Sequence, residues 1–295
     1  MAGKVILDQL NAMERSGFIA VLCDIFEHAA WVADTAFESR PFPTIAALHA
    51  AMMQAVTGSP PEKQLAFISA HPELGSKVGQ AGTMTDASKA EQGALGLNRL
   101  SEEEFRRFQE LNAAYREKFG FPFVICVARH TRDSILKHFA RRLSNPLEAE
   151  RSAALNEIGL ITRLRLVAKV EGPGAPKTDG RLSAHVLDNV LGKPAAGVRI
   201  LLSEIGQSAK GLLAESVTNE DGRTDAPLLS GAPLRIGTYE LRFFVAGYFK
   251  AMGIAAADPP YLDEVPVRFS IAEPEGDYHV PLLISPYGYS TYRGS

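Results

Sequence analysis

The spacing of apolar residues divides the chain into two parts. Between residues 105 and 119 they recur every three or four positions, which predicts a helix with one buried face. A second stripe of this kind runs from Leu155 to Val167. Further helices are predicted around residues 4–34, 44–56 and 61–69. The first part of the chain is therefore expected to be an all-α helical domain.

Two of these helices carry start signals. Ser101 and Glu104 form a capping box, in which the Ser101 hydroxyl accepts from the Glu104 amide and the Glu104 side chain reaches back. Asn145 is predicted to cap the next helix, with Pro146 in its first turn.

Beyond residue 180 the apolar period becomes two. Residues 264–271 and 238–243 alternate between apolar and polar side chains, as half-buried strands do. Asp221-Gly222 predicts a turn between strands. Several short strands at this spacing favour an all-β sandwich. We expect a helical domain over 1–168, a Gly- and Pro-rich linker over 169–180 and a sandwich over 181–295.

Composition narrows the classes of function. The net charge of −3 argues against a nucleic-acid partner, because phosphate-binding domains carry a basic excess. The first residues lack the apolar core of a signal peptide, and no apolar run is long enough to span a membrane. A cytoplasmic protein is expected. Cys23 and Cys126 lie in apolar contexts and are expected to be buried free thiols.

The C-terminal part carries four distinctive stretches. They are Leu-Ser-Ala-His-Val-Leu-Asp at 182–188, Thr-Asn-Glu-Asp-Gly-Arg at 218–223, Tyr-His-Val-Pro-Leu-Leu-Ile-Ser-Pro at 278–286, and residues 287–295, which end in Tyr-Arg-Gly-Ser. Together they resemble the transthyretin-related family of 5-hydroxyisourate hydrolases over residues 181–295. The resemblance implies a transthyretin-like sandwich of seven or eight strands that forms a tetramer, with active sites in clefts between subunits. The matching functional residues are His185, Arg223, His279, Tyr292, Arg293, Gly294 and Ser295.

The chemistry of these residue types suits hydrolysis of a cyclic amide. Histidine titrates near neutral pH, so His185 and His279 are candidates for general base and acid. Arg223 offers a planar fork of donors for a ring edge and for a developing oxyanion. The spacing supplies no third metal ligand, so no metal is expected. Taken singly, a histidine in a strand is more often structural; the combination favours function.

The N-terminal part carries three further stretches. They are His-Pro-Glu-Leu-Gly at 71–75, Ser-Lys-Ala-Glu-Gln at 88–92 and Phe-Gly-Phe-Pro-Phe at 119–123. In combination they resemble the 2-oxo-4-hydroxy-4-carboxy-5-ureidoimidazoline (OHCU) decarboxylases over residues 5–168. The resemblance implies an all-helical fold without a cofactor. The matching site residues are His71 as the catalytic group, with Pro72, Ser88, Glu91, Gln92, Ile125 and an arginine of the last helix in substrate binding.

The choice of arginine stays open at this point. Arg163 and Arg165 lie two residues apart and so face different sides of the helix. Motif position favours Arg165. Loss of CO2 next to a carbonyl leaves an enolate, so the substrate provides its own electron sink. The protein must then orient the carboxylate, hold the anion and deliver a proton to one face; we expect His71 to handle the proton.

The two resemblances imply a bifunctional enzyme of urate breakdown. The product of the hydrolase is the substrate of the decarboxylase, and the implied final product is (S)-allantoin. Two alternatives remain: an enzyme with one degenerate domain, and a transthyretin-like binding protein. The expected partners are small purine-derived molecules and further copies of the chain, without nucleic acid or membrane.

Overall fold

The computed structural model describes residues 3–75, 84–207, 211–254 and 257–294. The chain forms two compact units. The first comprises Met1–Ala128 and Ile135–Thr178, and the second comprises Arg129–Ser134 and Asp179–Ser295. Among the described residues, no helix is both long enough and apolar enough to cross a membrane.

The first unit is helical, as predicted. Its helices enclose one apolar core that includes Phe18, Phe108 and Phe139. The helices in chain order are α1 (Leu7–Ala12), α2 (Arg15–Leu22), α3 (Ala30–Ala36), α4 (Ile45–Thr57), α5 (Pro61–Ser69), α6 (Asp86–Leu95), α7 (Glu102–Phe119), α8 (Arg132–Arg142) and α9 (Leu147–Lys169). The long predicted segment 4–34 is thus divided into three helices and their connections.

One of the two predicted helix caps is confirmed. At the start of α7, the Ser101 hydroxyl accepts from the Glu104 amide and the Glu104 carboxylate accepts from the Ser101 amide. The cap predicted at Asn145 is wrong, because α9 begins only after Pro146, whose backbone is extended. The Asn145 amide instead donates to the Glu150 carboxylate at 2.7 Å.

The segment after α9 lies against the first unit. A short strand, β2 (Val170–Glu171), pairs in parallel with β1 (Val5–Ile6). The Ile45 amide then donates to the Pro173 carbonyl. The first half of the Gly- and Pro-rich segment is therefore tied down by backbone hydrogen bonds.

The second unit is a sandwich of two four-stranded sheets, as predicted. The strands are β3 (Arg181–Asp188), β4 (Lys193–Pro194), β5 (Arg199–Ile205), β6 (Gly211–Val217), β7 (Gly237–Phe244), β8 (Glu264–Ile271), β9 (Asp277–Ser285) and β10 (Gly288–Thr291), with a short helix α10 (Val245–Ala251). One sheet has the order β10-β9-β3-β4 and the other β6-β5-β7-β8.

The alternating side chains of the strands build the sandwich core. Leu182, Ala184 and Val186 of β3 are buried, while Ser183 and His185 lie on the other face of that strand. Strand β9 lies beside β3 in parallel and brings His279 opposite Ser183. This register places polar side chains of two neighbouring strands on one face of the sheet.

The two cysteines differ in exposure. Neither forms a disulfide bond among the described residues, and Cys126 is buried as expected. Cys23 is exposed, so the expectation of burial was wrong there. It is the C-cap residue of α2, where the helix ends at the surface.

Candidate active sites

One cavity in the first unit collects every decarboxylase residue named from the sequence. Its lining side chains come from the end of α5, from α6, from the segment before α8 and from α9. The named residues in its wall are His71, Pro72, Ser88, Glu91, Gln92, Ile125 and Arg165. Apolar side chains complete the wall: Leu74, Phe123, Val124, Val127 and Ile161. The cavity thus combines a small set of polar groups with an apolar surround, which is typical of a small-molecule site.

Helix α6 presents three of the polar residues on one face. Ser88, Glu91 and Gln92 are three and four positions apart, so their side chains point the same way. The helix begins at a Thr85 cap, whose hydroxyl accepts from the Ser88 amide. Gln92 accepts from the Gly75 amide at 3.2 Å, which ties the helix to the segment that carries His71.

Arg165 of α9 lies between two carboxylates. It binds Glu91 through both oxygens, at 2.7 and 2.9 Å. On its other side it donates to Glu27 at 3.1 Å, to Ser88 at 3.1 Å and to the Ile25 carbonyl. These contacts engage all five N–H donors of the guanidinium. The arginine is therefore fixed by the protein on every side.

Glu27 was not predicted from the sequence. Its side chain is fully buried, and it accepts hydrogen bonds from the Thr85 amide, the Thr85 hydroxyl and the Ser88 hydroxyl, in addition to Arg165. Burial alone would raise the pKa of Glu27, but these hydrogen bonds and the charge of Arg165 outweigh it and lower the pKa. Glu27 is thus a carboxylate.

His71 is a neutral imidazole at physiological pH. Burial lowers the pKa of His71 to about 4, and Arg165 adds to this, whereas a hydrogen bond to the Phe67 backbone opposes it. Nδ1 lies 3.2 Å from the Phe67 carbonyl, an acceptor, so Nδ1 carries the proton. The Nε2 atom of His71 is then left with a lone pair.

The wall formed by residues 123–127 is held through its backbone. Arg142 donates to the Val124 carbonyl at 2.8 Å, and Glu157 accepts from the Cys126 amide at 2.9 Å. Arg142 is itself buried and paired with the fully buried Glu150 at 2.6 Å. This buried ion pair lies behind the wall and fixes its path.

The structure favours Arg165 over Arg163 as the arginine of this cavity. Arg165 lines the cavity, whereas Arg163 is not among the lining residues. The charge of Arg163 instead contributes to the lowered pKa of His49. His49 lies on α4 and hydrogen-bonds Thr162 of α9 at 3.0 Å. The two positions therefore serve different faces of the same helix.

In the second unit, His185 and His279 lie on one face of the β10-β9-β3-β4 sheet. Their ring centroids are 6.2 Å apart. The Ser183 hydroxyl is 2.9 Å from Nδ1 of His279 and so fixes that ring. The Nε2 atom of His185 is buried and has no hydrogen-bond partner among the described residues. Two oriented imidazoles thus lie close enough to act on one small molecule.

Arg223 is brought to the histidines by a tight turn. The Asn219 side chain accepts from the Arg223 amide, and Gly222 has a φ of +70° that suits glycine. Arg223 then bridges to His185 through the backbone. Burial lowers the pKa values of His185 and His279, and the charge of Arg223 lowers both further. Both rings are biased towards the neutral form.

The C-terminal tail lies against His279. The Gly294 amide donates to the His279 carbonyl at 3.0 Å, and a Cβ atom at residue 294 would lie 2.6 Å from the His279 ring. The Arg293 guanidinium lies 5.1 Å from the centre of the Tyr278 ring, and Tyr292 is exposed. Ser295 lies outside the described residues.

Two residues of these sites, Ser183 and Glu27, were not predicted from the sequence. Ser183 lies inside a quoted stretch but received no role, because its partner is 96 residues away. Glu27 follows Ile25 and Phe26, so its signal is a charged residue next to an apolar pair that proves to be buried. Neither signal identifies a partner without the tertiary structure.

Comparison with known proteins gives each unit a family. The sequence profile of the OHCU decarboxylase family matches residues 11–167, and that of the HIUase/Transthyretin family matches residues 182–294. A 2-oxo-4-hydroxy-4-carboxy-5-ureidoimidazoline decarboxylase of Haloferax volcanii is 40% identical over 166 residues, 56% of this chain and 96% of that protein. A 5-hydroxyisourate hydrolase of Deinococcus radiodurans is 55% identical over 114 residues, 39% of this chain and 95% of that protein.

The chain therefore belongs to both enzyme families, through its N-terminal and C-terminal parts respectively. A solved structure of an (S)-allantoin synthase is similar to the whole chain, with 34% identity, a TM-score of 0.53, and coverage of 99% of this chain and 100% of that one. A decarboxylase domain and a hydroxyisourate hydrolase domain are thus joined in one polypeptide.

Proposed function

We propose that the protein converts 5-hydroxyisourate into (S)-allantoin in two steps, with one domain for each step. We assign ring opening to residues 181–295 and decarboxylation to residues 1–168, joined by residues 169–180. The observation that carries the proposal is the presence of two separate sets of imidazole and guanidinium groups, one in each family domain. An enzyme with one degenerate domain is disfavoured because both sets are intact.

In the first step, water opens the cyclic amide of 5-hydroxyisourate. Neutral His185 takes a proton from water, and the oxygen adds to the amide carbonyl. Arg223 stabilises the oxyanion that forms. The carbon–nitrogen bond then breaks, and His279 relays a proton to the departing nitrogen. The product carries a carboxylate and a ureido group, the two halves of the opened ring.

The tail residues Tyr292, Arg293, Gly294 and Ser295 contribute to this first site. Gly294 fixes the backbone of His279, and Arg293 and Tyr292 present polar groups at its edge. Arg223 and Tyr292 are exposed in the single chain, which fits a site that is completed by a second copy. We therefore propose a homotetramer assembled through the transthyretin-like domain. Light scattering should give four times the chain mass of 31.9 kDa.

In the second step, the ureidoimidazoline loses its 4-carboxylate. The bond between the ring carbon and the carboxylate breaks as CO2, and its electron pair passes into the ring. His71 accepts the proton of the 4-hydroxyl group at Nε2, which leaves a carbonyl, and returns a proton to the ring carbon that carries the ureido group. The ring nitrogen that received the electron pair takes one further proton from water, which balances the negative charge of the lost carboxylate. Delivery from one wall of the cavity gives one enantiomer.

The remaining polar residues orient the substrate in the second step. Ser88, Glu91 and Gln92 face the cavity from α6 and bind the N–H and hydroxyl groups of the substrate. Arg165 provides positive charge for the substrate carboxylate. Pro72 and Ile125 shape the wall. The residues of both sites act without a cofactor in this scheme. Neither cysteine forms a disulfide bond in the part of the chain that the structure describes, which suits the reducing cytoplasm in which we place the protein.

The direct test adds the protein to freshly generated 5-hydroxyisourate. We expect the ultraviolet absorption of hydroxyisourate to decay first, then that of the ureidoimidazoline, with the circular dichroism of (S)-allantoin rising in step with the second decay. Decay at the spontaneous rates, or a product without optical activity, would contradict the proposal.

A further inference from the structure

Glu27 is a buried charge whose place in the site neither the sequence motifs nor the family comparison assigns. It follows Phe26, in the connection between α2 and α3, far along the chain from every other polar residue of the cavity. Its side chain is fully buried, whereas that of Glu91 is 27% exposed. Both carboxylates hold the same guanidinium. This difference in burial suggests that the two carboxylates have different tasks.

The hydrogen bonds of Glu27 leave it no freedom to act on substrate. One oxygen accepts from the Thr85 amide. The other accepts from the Thr85 hydroxyl at 2.8 Å, the Ser88 hydroxyl at 2.9 Å and Arg165 at 3.1 Å. Glu27 is also absent from the residues that line the cavity. It therefore acts on the substrate only through the side chains that it holds.

Those side chains are two of the polar groups that face the substrate. Ser88 donates its proton to Glu27 and accepts from Arg165, so its hydroxyl direction is fixed. Arg165 turns one N–H group towards Glu27 and presents its other edge to Glu91 and the cavity. Removal of Glu27 would release both at once, and it would leave Thr85, the cap of α6, without its acceptor.

We propose that Glu27 is a positioning residue of the decarboxylase site, the permanent counter-ion that orients Arg165 and Ser88 from behind the cavity wall. Glu91 is the exchangeable partner of Arg165, because it is the more exposed carboxylate and its side of the guanidinium faces the cavity. The substrate carboxylate approaches this side. The inference rests on the proposed decarboxylase function of this site.

Two substitutions separate the charge of Glu27 from its shape. Glu27→Gln keeps the size of the side chain but removes the charge and places an NH2 group among donors. The Arg165 charge is then less compensated, so an anionic substrate is attracted more strongly, while the alignment of Arg165 and Ser88 is lost. Glu27→Asp keeps the charge but is one methylene shorter, so it restores the electrostatics without the full reach.

The experiment measures decarboxylation of enzymatically generated ureidoimidazoline by the full chain. We expect Glu27→Gln to lower kcat at least tenfold and to lower KM about threefold. For Glu27→Asp we expect the KM of the parent with kcat between those of the parent and Glu27→Gln. Hydroxyisourate hydrolysis by the same samples measures the concentration of chain with an intact hydrolase domain and should be unchanged.

Two results would overturn the inference. One is a kcat of Glu27→Gln within twofold of the parent. The other is an equal loss of kcat in both variants with KM unchanged, which is what a mere loss of correctly folded domain gives. Failure of the proposed function is distinguishable, because the parent chain would then not accelerate decay of the ureidoimidazoline at all.

Discussion

At the scale of single residues, both proposed sites contain imidazoles whose surroundings lower their pKa values. Burial and a nearby arginine act together on His71, on His185 and on His279. A neutral imidazole has one nitrogen that accepts a proton, and the structure fixes which one in His71 through the Phe67 carbonyl. The histidines are therefore prepared as proton acceptors near pH 7.

The pH dependence of decarboxylation should reveal this directly. Because the pKa of His71 is lowered to about 4, its neutral form persists well below the usual titration range of histidine. We expect kcat/KM to be constant from pH 7.5 to pH 5.5 and to fall only as the pH approaches 4. The ring-opening step is kept fast with a separate hydrolase in excess.

His49 provides the control for this profile. Burial and Arg163 lower its pKa to about 4 as well, but it lies outside the cavity. His49→Gln should leave the acid limb in place, whereas His71→Ala should abolish enzymatic decarboxylation. A limb centred near pH 6.5 in the parent would contradict the assignment of His71.

The tail glycine of the hydrolase site gives a second test at this scale. A methyl group at residue 294 would lie 2.6 Å from the His279 ring and must displace it. We expect Gly294→Ala to lower kcat/KM for hydroxyisourate at least tenfold and to leave decarboxylation unchanged. In the control Gly288→Ala, the nearest atom is the Ser285 hydroxyl oxygen at 3.7 Å, an ordinary contact. Equal activity of the two variants would show that the tail does not position His279.

At the scale of elements, the decarboxylase site depends on how α6, α9 and the 123–127 segment are held. The ion pair of Arg142 with Glu150 is buried behind that segment, and Tyr115 and Asn145 also donate to the Glu150 carboxylate. A buried cation that loses its partner is strongly destabilising, by about 3–5 kcal/mol. The stability of the domain and the shape of the cavity wall therefore depend on the same residues.

Glu150→Ala should accordingly destabilise the N-terminal domain by about 3–5 kcal/mol in urea unfolding. Glu148→Ala is the matched control, because its carboxylate lies two residues earlier on α9, is 74% exposed and pairs only at the surface with Arg151. That control should cost less than about 1 kcal/mol. If Glu150→Ala lowered the free energy of unfolding by no more than Glu148→Ala does, the buried ion pair would contribute little to stability.

The sequence could predict the elements better than their connections. Local patterns were sufficient for the capping box at Ser101 and for the alternation along β7 and β8, since both depend on neighbours in the chain. The cap predicted at Asn145 is wrong because Pro146 is the N-cap of α9, and the Asn145 amide donates to the Glu150 side chain instead. Glu27 could not be assigned because its role exists only once α6 and α9 are brought together.

At the scale of the whole molecule, one chain joins domains of two enzyme families, and in the proposed function they act in succession. Joining them in one chain keeps the second site at a high local concentration relative to the product of the first. The two activities also serve as controls for one another. When one domain carries a substitution, the activity of the other domain measures how much chain is present.

A complementation assay tests most directly whether each domain performs one step. His71→Ala should convert hydroxyisourate only to the ureidoimidazoline, and His279→Ala should be slow in the first step but competent in the second. A mixture of the two variants is expected to restore rapid formation of (S)-allantoin, because each contributes one intact site. If the mixture remains as slow as the variants alone, or if His71→Ala alone yields (S)-allantoin at the parent rate, the assignment of one step to each domain is wrong.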